Sequence, residues 1–282
     1  MRSCCLAAVL WSVISPVLVA QPQPTGNPVS ITTPDSLGLH AEWFESLSPE
    51  PAGLLVLLPM RGQTLDSYRS FINRVREYFE ADTTRPSIPL PHMLAVDLRG
   101  HGASRTRVKD TLDFRSMGRA EYAMMPSDVA SLIAHVYAEH GDRLDTTRLI
   151  VVGASIGANT ALLLTGLLPR VTHVVALSPG SDYHGLRPAD AFRNFKGEVL
   201  FVSSRGDTYS FETCQMLATS KNTGWLVKGY PGSQHGTDLL YADERVIPDV
   251  LTWLFAVRMS AATEDSLKAQ EPDFVSDSSS GN

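Results

Sequence analysis

A serine hydroxyl is a weak nucleophile until a base takes its proton, and the base acts best when a carboxylate fixes its orientation. Three side chains of this sequence could supply such a set. Ser155 lies in Gly153-Ala154-Ser155-Ile156-Gly157, with the apolar run Leu149–Val152 before it and a helix-forming stretch after it. Gly-x-Ser-x-Gly between a strand and a helix is the sequence form of a nucleophile elbow, a turn so tight that small residues must flank the serine. The turn lifts the hydroxyl clear of its sheet and aims the first N–H groups of the next helix at whatever the serine attacks. Asp207, in Ser203-Ser204-Arg205-Gly206-Asp207, follows a second apolar run, and His235, in Pro231-Gly232-Ser233-Gln234-His235-Gly236, follows a third. Together they could attack a carbonyl carbon and pass through an acyl-enzyme. The pentapeptide alone is weak evidence, so the expectation rests on its context and its partners. Asp182, in Ser178-Pro179-Gly180-Ser181-Asp182, is the alternative carboxylate, and His101 is the alternative histidine.

Groups so far apart in sequence converge where strands of an open parallel sheet end, because side chains gather at their C-terminal edge. The hydrophobic pattern predicts that scaffold. Strands are expected at Val29–Thr32, Gly38–Phe44, Gly53–Leu58, Met93–Val96, Leu149–Val152, Val171–Leu177, Glu198–Ser203 and Trp225–Lys228. Gly53–Leu58 is continuously apolar, as suits a strand buried on both faces. Helices are expected at Asp66–Glu80, Pro126–Glu139, Ile156–Leu168 and Ile247–Ser260, with apolar residues at helical spacing. Strand and helix alternate, which specifies an α/β fold: a mostly parallel sheet with helices on both faces. Between Leu177 and Glu198 there is room for a short helix near Ala189–Phe195 but not for a lid domain.

Bulk properties narrow the function. The chain has 282 residues, 43% hydrophobic and 19% charged, enough for one large domain with a sizeable core. A net charge of −6 without a Lys/Arg cluster speaks against nucleic acid as a partner. Residues 1–20 read as a signal peptide: a basic Met1-Arg2, an apolar run from Cys4, and Ala20 before polar Gln21-Pro22. Export to a periplasm or the outside is expected, with no membrane association after cleavage; a retained anchor is the alternative. Cleavage would leave Cys214 as the single cysteine, so no intramolecular disulfide is expected. Residues 21–28 read as a Pro/Gly-rich linker, 29–262 as the catalytic domain and 263–282 as a polar, Ser-rich disordered tail. No His-x-x-x-His or Cys-x-x-Cys pair occurs and no Gly-x-Gly-x-x-Gly follows the first strand, so neither metal nor cofactor is expected.

Over Val29 to Ser260 the sequence resembles the α/β-hydrolase superfamily. The order Ser155, Asp207, His235 is the order of that fold. Asp97-Leu98-Arg99-Gly100-His101-Gly102-Ala103-Ser104 is similar to a turn many members carry, where it is scaffold. The resemblance implies an α/β-hydrolase fold with a minimal lid and structural roles for Asp97, Arg99 and His101. Within the superfamily the chain looks like the serine esterase and dienelactone hydrolase-like branch. Dienelactone hydrolases proper use cysteine, so the likeness is to the branch and not to that substrate. The oxyanion hole is expected to combine the N–H of Ile156 with one from Pro59-Met60-Arg61-Gly62-Gln63. Pro59 has no N–H, which leaves Met60 or Arg61, and the family loop favours Arg61. The implied activity is hydrolysis of a small-molecule or carrier-linked carboxylic ester. Acyl transfer, peptide cleavage and ligand binding without catalysis are the alternatives.

Overall fold

A strand buried on both faces needs apolar side chains pointing both ways, and Ala52-Gly53-Leu54-Leu55-Val56-Leu57-Leu58 has no others. Every one of these residues is buried. The computed structural model describes residues 23–81, 88–191, 194–220 and 225–255. In chain order they form β1 (Asn27–Thr32), β2 (Gly38–Phe44), β3 (Ala52–Leu58), α1 (Arg69–Glu80), β4 (His92–Asp97), α2 (Arg119–Ala123), α3 (Met125–His140) and β5 (Leu144–Ala154). Then come α4 (Ile156–Leu167), β6 (Val171–Leu177), α5 (Pro188–Ala191), β7 (Glu198–Ser204), α6 (Thr208–Thr219), β8 (Trp225–Tyr230), α7 (Leu239–Ala242) and α8 (Val246–Phe255).

The strands make one 8-stranded sheet in the order β1-β2-β4-β3-β5-β6-β7-β8. β2 runs antiparallel to β1 and β4, and the remaining pairings are parallel. Alternate side chains serve opposite layers. Leu54, Val56 and Leu58 pack with Val129, Leu132 and Leu162 of α3 and α4, while Leu55 and Leu57 pack with Phe71, Val75 and Leu254 of α1 and α8. Register then sets the chemistry. Leu58 pairs with Gly153, Ala154 with Leu177, Leu177 with Val202 and Ser204 with Tyr230. The loops after β3, β5, β6, β7 and β8 therefore leave the sheet along a common rim.

Several boundaries differ from the sequence expectation. β1 starts at Asn27, so Asn27 and Pro28 belong to an edge strand and not to the linker; proline is tolerated there because an edge position can forgo a ladder donor. The predicted helix at Asp66 opens as a 3₁₀ turn, Leu65–Tyr68, capped by the Thr64 side chain. Helices α2, α6 and α7 were not anticipated. In α6 the inward stripe is Ser210, Thr213, Cys214 and Leu217, too polar to stand out as an apolar face. Segment 1–20, the tail 263–282 and the predicted helix beyond Phe255 lie outside the described residues.

Candidate active site

Ser155 sits between β5 and α4 with φ 54° and ψ −116°. A non-glycine residue held there costs on the order of 1–3 kcal/mol, and the surroundings must enforce it. Its N–H donates to the Leu177 carbonyl at 2.8 Å, and its carbonyl accepts from Asn159 N–H at 3.1 Å. The two glycines of the pentapeptide permit the close approach. A Cβ on Gly153 would overlap the Gly157 carbonyl, and one on Gly157 would overlap the carbonyls of Leu58 and Pro59.

The structure brings Asp207 and His235 to this serine. His235 Nδ1 lies 2.7 Å from Asp207 Oδ2, and Nε2 lies 2.8 Å from Ser155 Oγ. A carboxylate only accepts, so Nδ1 carries the proton and bare Nε2 accepts from the serine hydroxyl. Asp207 stands at the N-terminus of α6, but its side chain caps nothing there because it is turned to His235. The β7 and β8 loops are laced together: Arg205 N–H donates to Tyr230 O at 2.7 Å, Gly206 N–H to Gly232 O at 2.8 Å, and Ser204 Oγ to Gln234 O at 2.8 Å. That lacing sets the separation of carboxylate and imidazole.

The loop after β3 reaches the same place. Gln63 N–H donates to Met60 O at 3.1 Å, closing a turn in which Gly62 takes φ 84°. Its Leu58–Pro59 carbonyls press on Gly157, and the Met60 side chain fills the space above Gly236, next to His235. Ile156, the first residue of α4, presents an N–H that has no carbonyl one turn back in its own helix. The N–H groups of Met60 and Arg61 find no backbone acceptor among the described residues.

The alternatives are placed elsewhere. Asp182 accepts from Arg187 Nε at 2.6 Å and from Gly185 N–H at 2.7 Å, closing the turn after β6. Asp97 accepts from the N–H groups of Leu65 at 2.9 Å and Ala103 at 2.8 Å. Arg99, fully buried, donates to Asp128, Asp35 and Glu121. His101 is buried, stacks on Phe114 at 4.7 Å and donates from Nδ1 to Arg99 O at 2.9 Å. Burial pulls its imidazole below the usual histidine value. Asp238, three residues past His235, precedes α7 and makes no side-chain cap bond there. Cys214 is buried, and burial pushes its thiol up.

Sequence reasoning passed over the strap after β6. Asn159, one turn beyond Ser155 and fully buried, donates from Nδ2 to Gly180 O and Leu186 O, each at 2.8 Å, and accepts from Gly180 N–H at 3.0 Å. The pinned strap presents Tyr183, whose ring meets His235 edge-on at 6.2 Å and whose hydroxyl shares a 3.0 Å hydrogen bond with Ser210 Oγ. Burial pushes this phenol up to about 12 against the Ser210 hydrogen bond, with the nearby Asp207 carboxylate adding to the rise. Next in sequence, His184 stacks on Tyr122 at 4.2 Å. An Asn on the first turn of the elbow helix was the available signal, but its partners lie over twenty residues away.

Known proteins share this architecture. The solved structure of an esterase from Pyrococcus furiosus superposes with a TM-score of 0.61 at 15% identity, covering 85% of this chain and 95% of that one. A dienelactone hydrolase from Anabaena variabilis superposes with a TM-score of 0.57 at 14% identity, covering 80% and 95%. At such identities the likeness is one of fold. A Haemophilus influenzae protein named provisionally as an esterase/lipase is 31% identical over 103 residues, which are 36% of this chain and 29% of that protein. This chain thus matches less than a third of that relative's length. The sequence model of the alpha/beta hydrolase family matches residues 55–277, from the middle of β3 past the end of α8. That match covers most of the chain and agrees with the strand order around the elbow: the chain belongs to the alpha/beta hydrolase family.

Proposed function

We propose that the chain is a serine hydrolase that cleaves carboxylic esters through an acyl-enzyme. The observation that carries this reading is the unbroken hydrogen-bonded relay Asp207–His235–Ser155, at 2.7 and 2.8 Å, ending on a serine at an enforced positive φ. In the first half-reaction His235 Nε2 takes the Ser155 proton as Oγ bonds to the ester carbonyl carbon. Asp207 holds the tautomer and offsets the charge of the imidazolium. The carbonyl oxygen becomes an oxyanion between Ile156 N–H and an N–H of Met60 or Arg61. Collapse breaks the C–O bond to the alcohol, which leaves with the proton from Nε2. Water, deprotonated by the same nitrogen, then attacks the acyl-Ser155 ester, releasing acid and free serine.

The esterase names of the related proteins support an ester over an amide as the substrate. The apolar N-terminal segment supports export as the destination. The test is covalent. A fluorophosphonate probe is expected to label the protein at Ser155, located by peptide mapping, and Ser155→Ala is expected to abolish labelling. The same variant should lower ester turnover by roughly 10⁴- to 10⁶-fold with an unchanged melting profile. A wild-type protein that takes no label and hydrolyses no ester would overturn the reading.

A further inference from the structure

Arg61, in the loop after β3 that borders this site, is held by neutral partners alone. Its Nε–H donates to Tyr122 Oη at 2.8 Å, one terminal N–H reaches Phe114 O at 3.4 Å, and the guanidinium lies 5.0 Å from the centre of the Phe114 ring. These two contacts leave three of its five N–H donors unassigned. The arginines of the neighbouring segments have carboxylates: Arg115 has Asp113 at 3.4 Å, while Arg119 and Arg187 share Asp182 at 4.0 and 2.6 Å. Among the described residues Arg61 makes no ion pair. The chain as a whole is acidic, with a net charge of −6, yet this guanidinium meets only neutral groups.

Its position is set from two sides. At one end the turn carrying Arg61 presses on Gly157 and seats Met60 over Gly236, beside His235. At the other, Tyr122 is fully buried and stacks on His184, whose neighbour Tyr183 meets His235 edge-on. Arg115 lies over the same Phe114 ring at 4.7 Å but keeps Asp113 as its partner, while burial, and then the charge of Arg61 itself, hold His101 and His184 below the usual histidine value. The guanidinium thus belongs to the loop, and adjoins the ring stack, that border Ser155 and His235.

We propose that Arg61 is an anion-recognition residue and that the preferred substrates are esters carrying a carboxylate remote from the scissile bond. This rests on the ester hydrolase reading and adds a substrate class to it. A carboxylate facing the guanidinium would accept its free N–H groups in a charge-assisted pair, while an uncharged ester would leave them to water. The proposal gives Arg61 a role distinct from supporting Tyr122, which a neutral hydrogen-bond donor could fill.

The test compares matched ester pairs on the full chain. Para-nitrophenyl hydrogen adipate against para-nitrophenyl hexanoate places the charge on the acyl side; meta-acetoxybenzoate against phenyl acetate places it on the alcohol side. Wild type is expected to favour the charged member of at least one pair, chiefly through KM, and the preference should shrink as salt is added. Arg61→Gln should reduce the charged-to-neutral ratio of kcat/KM by about 10- to 100-fold, and Arg61→Lys should retain part of it. Equal loss on both members, or no preference in wild type for either pair, would overturn the proposal. Calorimetry separates it from the catalytic reading: Ser155→Ala should bind monomethyl adipate more tightly than methyl hexanoate, and adding Arg61→Gln should remove the difference. Charge-dependent binding without any turnover would refute ester hydrolysis and leave the anion site standing; turnover indifferent to charge would do the reverse.

Discussion

Asp207 makes a single designated contact, the 2.7 Å hydrogen bond to His235 Nδ1. Its value is that it selects a tautomer. With an acceptor-only group at Nδ1 the ring must keep its proton there and present a lone pair to Ser155. An amide in its place can donate, and the ring can then be held with the proton at Nε2, where it opposes the serine hydroxyl. Asp207→Asn is therefore expected to lower kcat by about 10⁴-fold while leaving the fold intact. Stopped-flow or discontinuous ester assays read the rate, and the thermal midpoint reads the fold. A loss below tenfold would mean that another carboxylate does this work. Asp182 is the one the sequence offers, and its two hydrogen bonds to Arg187 and Gly185 leave it turned to its own strap.

At the scale of elements, the features that could be read in advance were those that repeat locally. Continuous apolar runs marked β3, β5, β6 and β7, and the elbow pentapeptide fixed where β5 must hand over to α4. Ser155 and Asp207 were legible because each comes just after such a run, and His235 because it follows the shorter apolar stretch that opens β8; parallel strands deliver the loops at their C-terminal ends to one rim. The second rank of the site was not legible. Tyr183, His184 and Tyr122 acquire their positions from stacking between separate segments, and Asn159 acquires its role from carbonyls far along the chain. No periodicity encodes such pairs. The strap gives its own prediction. Asn159→Ala leaves the Gly180 N–H and two carbonyls without their buried partner, at a cost of about 1–3 kcal/mol for such a group. The expected result is a lower urea midpoint and faster chymotryptic cleavage after Tyr183, with KM for esters raised as Tyr183 loses its support. An unchanged cleavage rate would show that Asn159 does not hold the strap.

Across the whole molecule, charge ties the distant edges of the fold together, and it does so in a way that acid should undo. Arg99 reaches from the β4 turn to Asp35 between β1 and β2, to Glu121 of α2 and to Asp128 of α3. The Arg99 hydrogen bond, with smaller help from Thr33 and Arg107 and against the effect of burial, holds the Asp35 carboxyl well below its usual range. Glu42 is likewise lowered: burial opposes this, but Arg69 and the Gly26 N–H outweigh it. Asp128 runs the other way, because burial raises it despite Arg99. His92 and His101 are lowered, burial being the main cause in each. The sign comes from proton counts. A group with a depressed native pKa binds fewer protons folded than unfolded, so its stabilisation is complete above the unfolded value and is lost as pH falls through the folded one. The histidines should thus begin to cost stability below about pH 6.5, and Asp35 and Glu42 below about pH 4, with Asp128 offsetting a part. Urea midpoints are expected to be level from pH 8 to about 7, to drift down towards pH 5 and to fall steeply below about 4. Asp35→Asn should be less stable than wild type at neutral pH yet show a shallower acid limb, since it removes the carboxylate whose protonation the folded state resists most. A variant curve parallel to wild type below pH 4 would show that acid acts on this protein through other groups.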